Sequence, residues 1–325
     1  MSGELTVVRY DSGERQAWDS FVTGSKNGTF LHCRGYVEYH SDRFDDCSLM
    51  LCDSEGRLLA LLPAERAGTL VRSHGGLTYG AFVVDDRMTA GRMLDALSAV
   101  ARHLVDAGVT RLLYKTVPHI YHRKPAEEDL YALFRAGARL VRRDVLTVIA
   151  AGRRSPLQER RARSLRKARG QGIEVRETTD YHTFWEILAA NLASRHGVPP
   201  VHREDEIELL AARFPTQIRL HAAYRDGEML AGALVYVSSE VCHVQYNAAA
   251  PEGRSCGALD LVLESVIAEY ETETRFFDFG ASTEEDGRVL NAGLVEYKEG
   301  FGARTVVHDA YELELEPAAL ASTRN

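Results

Sequence analysis

Two short stretches of this chain have similar counterparts further along, in the same order. Glu55-Gly56-Arg57-Leu58-Leu59-Ala60 aligns with Asp226-Gly227-Glu228-Met229-Leu230-Ala231. Gly137-Ala138-Arg139-Leu140-Val141-Arg142-Arg143-Asp144 aligns with Gly302-Ala303-Arg304-Thr305-Val306-Val307-His308-Asp309. The offsets are 171 and 165 residues. A repeat on this scale constrains the fold more than any local propensity does, because both copies have to satisfy one topology. The 325 residues leave about 150 for each copy, an ordinary domain size. The pattern predicts two domains, 1–152 and 153–325, parted near the Ala-Gly-Arg-Arg-Ser-Pro linker signal at 151–156.

The apolar spacing predicts a mixed α/β chain. In the first half, strands are expected at 5–10, 48–52, 58–63, 70–73, 80–84, 111–117 and 138–150. Helices are expected at 14–23, 34–41, 88–107 and 127–136. In the second half a basic helix at 156–170 precedes a strand at 173–178 and helices at 181–195 and 204–213. Strands at 218–224, 229–237 and 241–248 follow, then a helix at 258–271, a strand at 276–280, a short helix at 294–300 and a last strand at 304–315.

Composition excludes some classes. With 45% apolar and 26% charged residues the chain can bury two cores, so disorder is not expected. A net charge of −8 argues against a bulk polyanion binder but permits a local basic patch. Cys33, Cys47, Cys52, Cys242 and Cys256 form no CxxC pair and read as reduced thiols. The start shows no basic segment followed by an apolar one, and no apolar run approaches the ~18 residues of a membrane span. A cytoplasmic protein without membrane insertion is expected. His119 and His122 have no third ligand at helical spacing, so no metal site is expected.

Three segments carry a family resemblance. They are Arg160-Arg161-Ala162-Arg163-Ser164-Leu165-Arg166-Lys167-Ala168 with Gly172-Ile173-Glu174-Val175, then Phe277-Asp278-Phe279-Gly280, then Tyr297-Lys298-Glu299-Gly300-Phe301-Gly302. With the element order, they make the second half similar to an acyltransferase domain of the GNAT superfamily. The whole chain resembles the tandem-domain, Fem-like transferases. The resemblance implies an α/β (α+β) fold of two tandem GNAT-like domains, each a mixed sheet flanked by helices. It implies an acceptor-binding, non-catalytic first domain and a catalytic second one. The implied reaction is transfer of an acyl or aminoacyl group to an amine, from acyl-CoA in ordinary members and from aminoacyl-tRNA in the Fem-like branch. No tightly bound cofactor is implied.

Amine acylation needs a neutral amine, a positioned carbonyl and stabilisation of the oxyanion. Lys298 matches the lysine that Fem-like transferases place at the reacting carbonyl, which implies oxyanion stabilisation. Asp278, ending an apolar strand, is a candidate to accept a proton or orient the amine, or else a strand-end cap. Period-two alternation puts His243, Gln245 and Asn247 on one strand face, lining a cleft or facing water, with Tyr246 opposite as a general acid or a packed aromatic. Ser282, Asn291 and Tyr297 are acceptor-pocket candidates.

For the donor, residues 251–259 stand where CoA-using members carry the pyrophosphate loop. Arg254 and Gly257 fit that pattern, and Leu259 departs from it. The segment 153–169 has eight basic residues and one acid; Arg160, Arg163, Arg166 and Lys167 are candidates to track tRNA phosphates, or belong to a solvated face. In the first half, His74, Tyr79, Lys115 and Tyr121 are candidates for binding a small-molecule or cell-wall-type acceptor. The preferred reading is an aminoacyl-tRNA-dependent N-acyltransferase. The rival is an acetyl-CoA-dependent enzyme acting on an amino sugar or natural-product amine. A non-catalytic binding module is the third.

Overall fold

The computed structural model describes residues 5–315, apart from the side chains at 195 and 196. The chain divides into two compact units. The first runs to Asp144 and takes back 286–288 and the chain from Val307 onward. The second comprises Val145–Glu285 and Val289–Val306. The division falls inside a long strand, ahead of the linker signal at 151–156. A Pro/Gly-rich stretch marks where regular structure stops, whereas a compact unit ends where packing changes, and here packing changes within hydrogen-bonded strand.

In the first unit the order is β1 (Thr6–Arg9), α1 (Arg15–Gly24), α2 (Arg34–Val37), β2 (Asp45–Asp46), β3 (Leu49–Cys52), β4 (Leu58–Leu62), β5 (Glu65–Ala67), β6 (Leu70–Arg72), β7 (Val83–Val84), α3 (Ala90–Asp106), β8 (Arg111–Lys115) and α4 (Glu128–Arg135). The strand β9 (Arg139–Ala150) leads into the second unit. β1, β3, β4 and β7 form one antiparallel sheet. Trp18 and Val22 of α1 pack on Met50, Leu61 and Val83 of that sheet. The amphipathic stripe at 88–107 becomes α3, which starts at the Thr89 cap and buries Met93, Leu97, Val100 and Leu104. The strand expected at 80–84 shrinks to two residues, because Ala81 is left-handed (φ 69°).

The second unit contains α5 (Glu159–Arg169), β10 (Glu174–Thr178), α6 (Tyr181–His196), α7 (Glu204–Arg213), β11 (Ile218–Arg225), β12 (Glu228–Val237), β13 (Val241–Ala249), α8 (Pro251–Cys256), α9 (Ala258–Tyr270), β14 (Phe276–Ala281), β15 (Thr283–Glu284), β16 (Val289–Leu290) and α10 (Ala292–Glu299). The strand β17 (Arg304–Glu314) follows. The sheet order is β10-β11-β12-β13-β14-β9, antiparallel except for the parallel pair β13–β14. Its core is built by Val235, Val244, Phe277 and Phe279 of the sheet against Leu165 of α5, Val262 and Val266 of α9, and Phe301. The short helix α8 is not legible in the periodicity. Pro251 opens it at a position where a missing N–H costs nothing. No described helix is long and apolar enough to cross a membrane.

Candidate functional site

The parallel pair β13–β14 is joined at Val241↔Phe276, Cys242↔Phe277 and His243↔Asp278. Pairing then stops, although β13 runs on to Ala249 and β14 to Ala281. Both strands carry irregularities on their outer edges. Against β12, Val244 faces Val235 and Tyr246 faces Leu234, so Gln245 is an extra residue. Against β9, Asp278 faces Val148 and Ala281 faces Leu146, so β14 also carries one residue too many. A bulge bends and twists its strand, and two of them on opposite edges turn the strands apart into a fork. The apex of the fork is the pair His243 and Asp278.

Asp278 is fully buried, and both of its oxygens are engaged. Oδ2 lies 2.9 Å from His243 Nδ1, and Oδ1 accepts from the Gly280 amide at 2.7 Å. Gly280 has φ 77°, and a Cβ there would lie 3.2 Å from His243 Cε1, so backbone freedom and the imidazole's place both ask for glycine. Lys298, on α10, is buried beside this turn. Its Nζ donates to the Gly280 carbonyl at 2.9 Å, the Ala281 carbonyl at 2.7 Å and Ser282 Oγ at 2.8 Å. Burial pushes its pKa down to about 8, with the Asp278 charge pulling the other way. An ammonium has three protons, and three acceptors take them here. Lys298 therefore stands as the anchor of residues 280–282, with none of its protons aimed at an incoming group.

The structure revises the neighbouring expectations. The bulge at Gln245 breaks the alternation, so His243, Gln245 and Asn247 do not share a face. His243 and Tyr246 do, opposite Tyr236 and Leu234, which are two residues apart on β12. The Tyr246 hydroxyl is tied to His202 Nδ1 at 2.7 Å, its ring packs edge-on against Trp185, and burial raises its pKa. That is the environment of a fixed aromatic rather than of an acid waiting for a leaving group. Ser282 is buried under Lys298. Asn291 caps α10 by accepting from the Leu294 amide and donating to Glu284. Asn247 is exposed.

Residues 251–259 are helical on both sides of Gly257, which caps α9 in a left-handed conformation (φ 83°). A Cβ on Gly257 would lie 2.5 Å from Ser164 Oγ and 2.9 Å from its carbonyl, so α5 lies directly against this helix start. The first turn of α9 also holds a buried carboxylate. Asp260 accepts from Arg161 Nη1 through both oxygens at 2.7 Å and from the Tyr297 hydroxyl at 2.8 Å. Arg161 stacks over the Tyr297 ring at 4.6 Å. Tyr297 thus belongs to this network, and its pKa is raised by burial and then by Asp260. The partly buried Leu259 packs on the core. Arg161 and Asp260 were not among the sequence candidates. The signal was the spacing: Arg161 falls in line with the buried Leu165 and Ala168 on α5.

On the outside of α5, Arg160, Arg163, Arg166 and Lys167 are exposed, as is Arg254 on α8. Arg166 pairs with Glu159 at 2.7 Å, and Lys167 donates to the Ser255 carbonyl at 2.7 Å, which ties α5 to α8. Among the described residues, Arg163 and Arg254 make no ion pair, so the surface keeps unneutralised positive charge.

The first unit has a cavity of about 290 Å³, lined by Arg72, His74, Thr78, Lys115, Arg142, Asp144, Asp286 and His308 among others. Two of these, His74 (φ 59°) and Asp286 (φ 53°), are non-glycine residues in the left-handed region, a strain that clusters at binding sites. Lys115 Nζ donates to the Leu77 carbonyl and makes no ion pair among the described residues. Its pKa falls to about 8 through burial and then the Arg142 charge, against Asp144. His74 falls to about 3, through burial and the stacked His40. Tyr79 and Tyr121 do not reach this cavity. They pack on each other in the core, and the Tyr79 hydroxyl donates to Thr29. Among the described residues no group of three or more metal-ligating side chains converges.

Lys115→Met is expected to stabilise the fold by about 1 kcal/mol at pH 7, since it removes a half-desolvated charge. The folded lysine loses its proton at about 8 and the unfolded one at about 10.5. The gain should therefore shrink as pH rises through that window, which urea unfolding at pH 7 and pH 10 would read.

Residues 158–299 match the acetyltransferase (GNAT) domain family. A GNAT acyltransferase domain is thus matched over that stretch, which lies almost wholly in the second unit. The fold of the chain is similar to that of FemX over nearly the whole length, with a TM-score of 0.66, 13% identity, and 94% of this chain and 96% of FemX covered. It is also similar to L-PGS from Bacillus licheniformis (TM-score 0.59, 13% identity, 99% and 98% covered). A tandem GNAT protein from the clavulanic acid biosynthesis pathway gives 0.54 at 12% identity, with 97% and 99% covered. At these identities the likeness is one of fold. No curated protein sequence matches the chain.

Proposed function

We propose that this protein transfers an aminoacyl group from aminoacyl-tRNA to the amine of an acceptor. The observation that carries the reading is the filled start of α9. A pyrophosphate bound at a helix N-terminus needs free amides, room and positive charge. Here Ser164 lies against Gly257, and the Asp260 carboxylate already sits in the first turn with Arg161 as its partner. The exposed cations of α5 and α8 supply a phosphate-tracking surface beside it. The second unit carries the chemistry, by direct attack of the amine on an ester held in the fork between β13 and β14. The cavity of the first unit takes an anionic group of the acceptor, with Lys115 as its counter-charge.

Acyl-CoA as donor is the second reading, favoured by the acetyltransferase family match over 158–299.

The test is donor binding by the purified protein. Calorimetry with acetyl-CoA and CoA is run beside a gel shift with total aminoacylated tRNA at 50 and 200 mM salt. The expected result is a salt-sensitive tRNA shift and no CoA heat. Arg163→Glu with Lys167→Glu should weaken the shift at least tenfold at 50 mM salt and flatten its salt slope by ~0.7 for each phosphate left unneutralised. Micromolar CoA binding without a tRNA shift would overturn the donor assignment and leave an acyl-CoA transferase.

A further inference from the structure

The apex of the fork contains an imidazole that the sequence alone places among the binding residues. His243 Nδ1 faces Asp278 Oδ2 at 2.9 Å, and Asp278 is held from the other side by the Gly280 amide. A carboxylate so placed accepts a hydrogen bond from Nδ1–H, which leaves the lone pair on Nε2. Nε2 makes no hydrogen bond among the described residues, and the side chain is 12% exposed. Strand pairing ends at this residue, so the imidazole stands where the fork begins.

We propose that His243 Nε2 is the base that takes the proton from the attacking amine, with Asp278 as its positioning residue. This rests on the reading of the second unit as an amine acyltransferase and holds for either donor. The amine attacks in its neutral form, its ammonium proton having gone to solvent, and its nitrogen forms a bond to the donor carbonyl carbon while one N–H proton passes to Nε2. The tetrahedral adduct then collapses, its bond to the leaving oxygen or sulfur breaks, and Nε2–H returns the proton to that atom. Protons balance over the cycle, and no other reactant is needed. Lys298 holds the Gly280 turn that carries the Asp278 clamp.

Two measurements test the proposal. The first is nitrogen NMR of the histidine-labelled full chain at pH 7, assigned with His243→Gln. The expected spectrum has Nδ1 protonated and Nε2 bare, and Asp278→Asn mixes the two tautomers. A protonated Nε2 at pH 7 in the wild-type protein overturns the proposal without reference to any substrate.

The second measures transfer from total aminoacylated tRNA and, in parallel, from acetyl-CoA. The acceptors are glucosamine, largely protonated at pH 7, and hydroxylamine, largely neutral. His243→Gln should lower transfer to glucosamine by 10²–10³-fold and to hydroxylamine by less than tenfold. Equal losses on both acceptors would make the residue a structural one. If the wild-type protein transfers to neither acceptor from either donor, the amine-transfer reading loses its support, and the NMR result still decides the state of His243.

Discussion

Exchange of Arg161 for methionine is expected to cost the second unit about 3–5 kcal/mol, a larger stability effect than that of Lys115→Met. The physical reason is what stays behind. Asp260 is buried in the first turn of α9, and Arg161 supplies both of its 2.7 Å contacts from α5. Methionine fills the space along the Tyr297 and Phe301 rings but offers no proton. The carboxylate is then left with the Tyr297 hydroxyl. Urea unfolding followed by tryptophan fluorescence would read the loss, because Trp185 lies in this unit. The paired change Arg161→Met with Asp260→Leu should return most of it, since a buried ion pair and a well-packed apolar pair are often of similar stability. A loss below 1 kcal/mol in the single variant would mean that Asp260 is solvated and that the start of α9 is open. That would also remove the argument against CoA.

Replacing Lys298 with methionine is expected to lower transfer by about 10²-fold or more while leaving the melting temperature within a few degrees. The two effects part because the lysine's contacts are local. Its three hydrogen bonds hold residues 280–282, and those residues hold the amide that clamps Asp278. Methionine matches the length and removes a charge whose burial is already costly, as the lowered pKa of about 8 indicates. Two carbonyls lose a partner, so the turn loosens, and His243 loses its fixed tautomer. Arginine should not rescue, because a guanidinium is too wide for a site shaped around one ammonium. Unchanged transfer by the methionine variant would reduce Lys298 to a scaffold residue.

Most of the framework was legible along the chain. The stripe at 88–107, the turn between 52 and 58, and the order of elements after 156 all appear as helices and strands in the expected sequence. These features are local: a 3.6-residue or two-residue period and a turn signal need only their own neighbours. Two of the family motifs, remote in sequence, come together in space, since Asp278 and Lys298 meet at one turn.

What failed was alternation through residues 243–247. A bulge is decided by how a strand fits between two partners, and nothing in the strand's own sequence announces it. Tyr79, Tyr121 and Tyr246 misled for a similar reason. A tyrosine reads the same whether its hydroxyl meets a substrate or a buried neighbour, and here the neighbours are Thr29 and His202.

The sequence by itself predicted two α/β units, placed the GNAT-like motifs in the second half, and showed one basic helix standing out of an acidic chain. Those properties are written in periodicity, duplication and charge, which are one-dimensional. Only the tertiary structure decided which polar groups are partners. It closed Arg161 on Asp260 across 99 residues and His243 on Asp278 across 35. It committed all three protons of Lys298 to one turn, and among the described residues it gave Nε2 of His243 no hydrogen bond. Hydrogen-bond partnership depends on distances of a few tenths of an ångström between elements remote in sequence, and packing alone sets those distances.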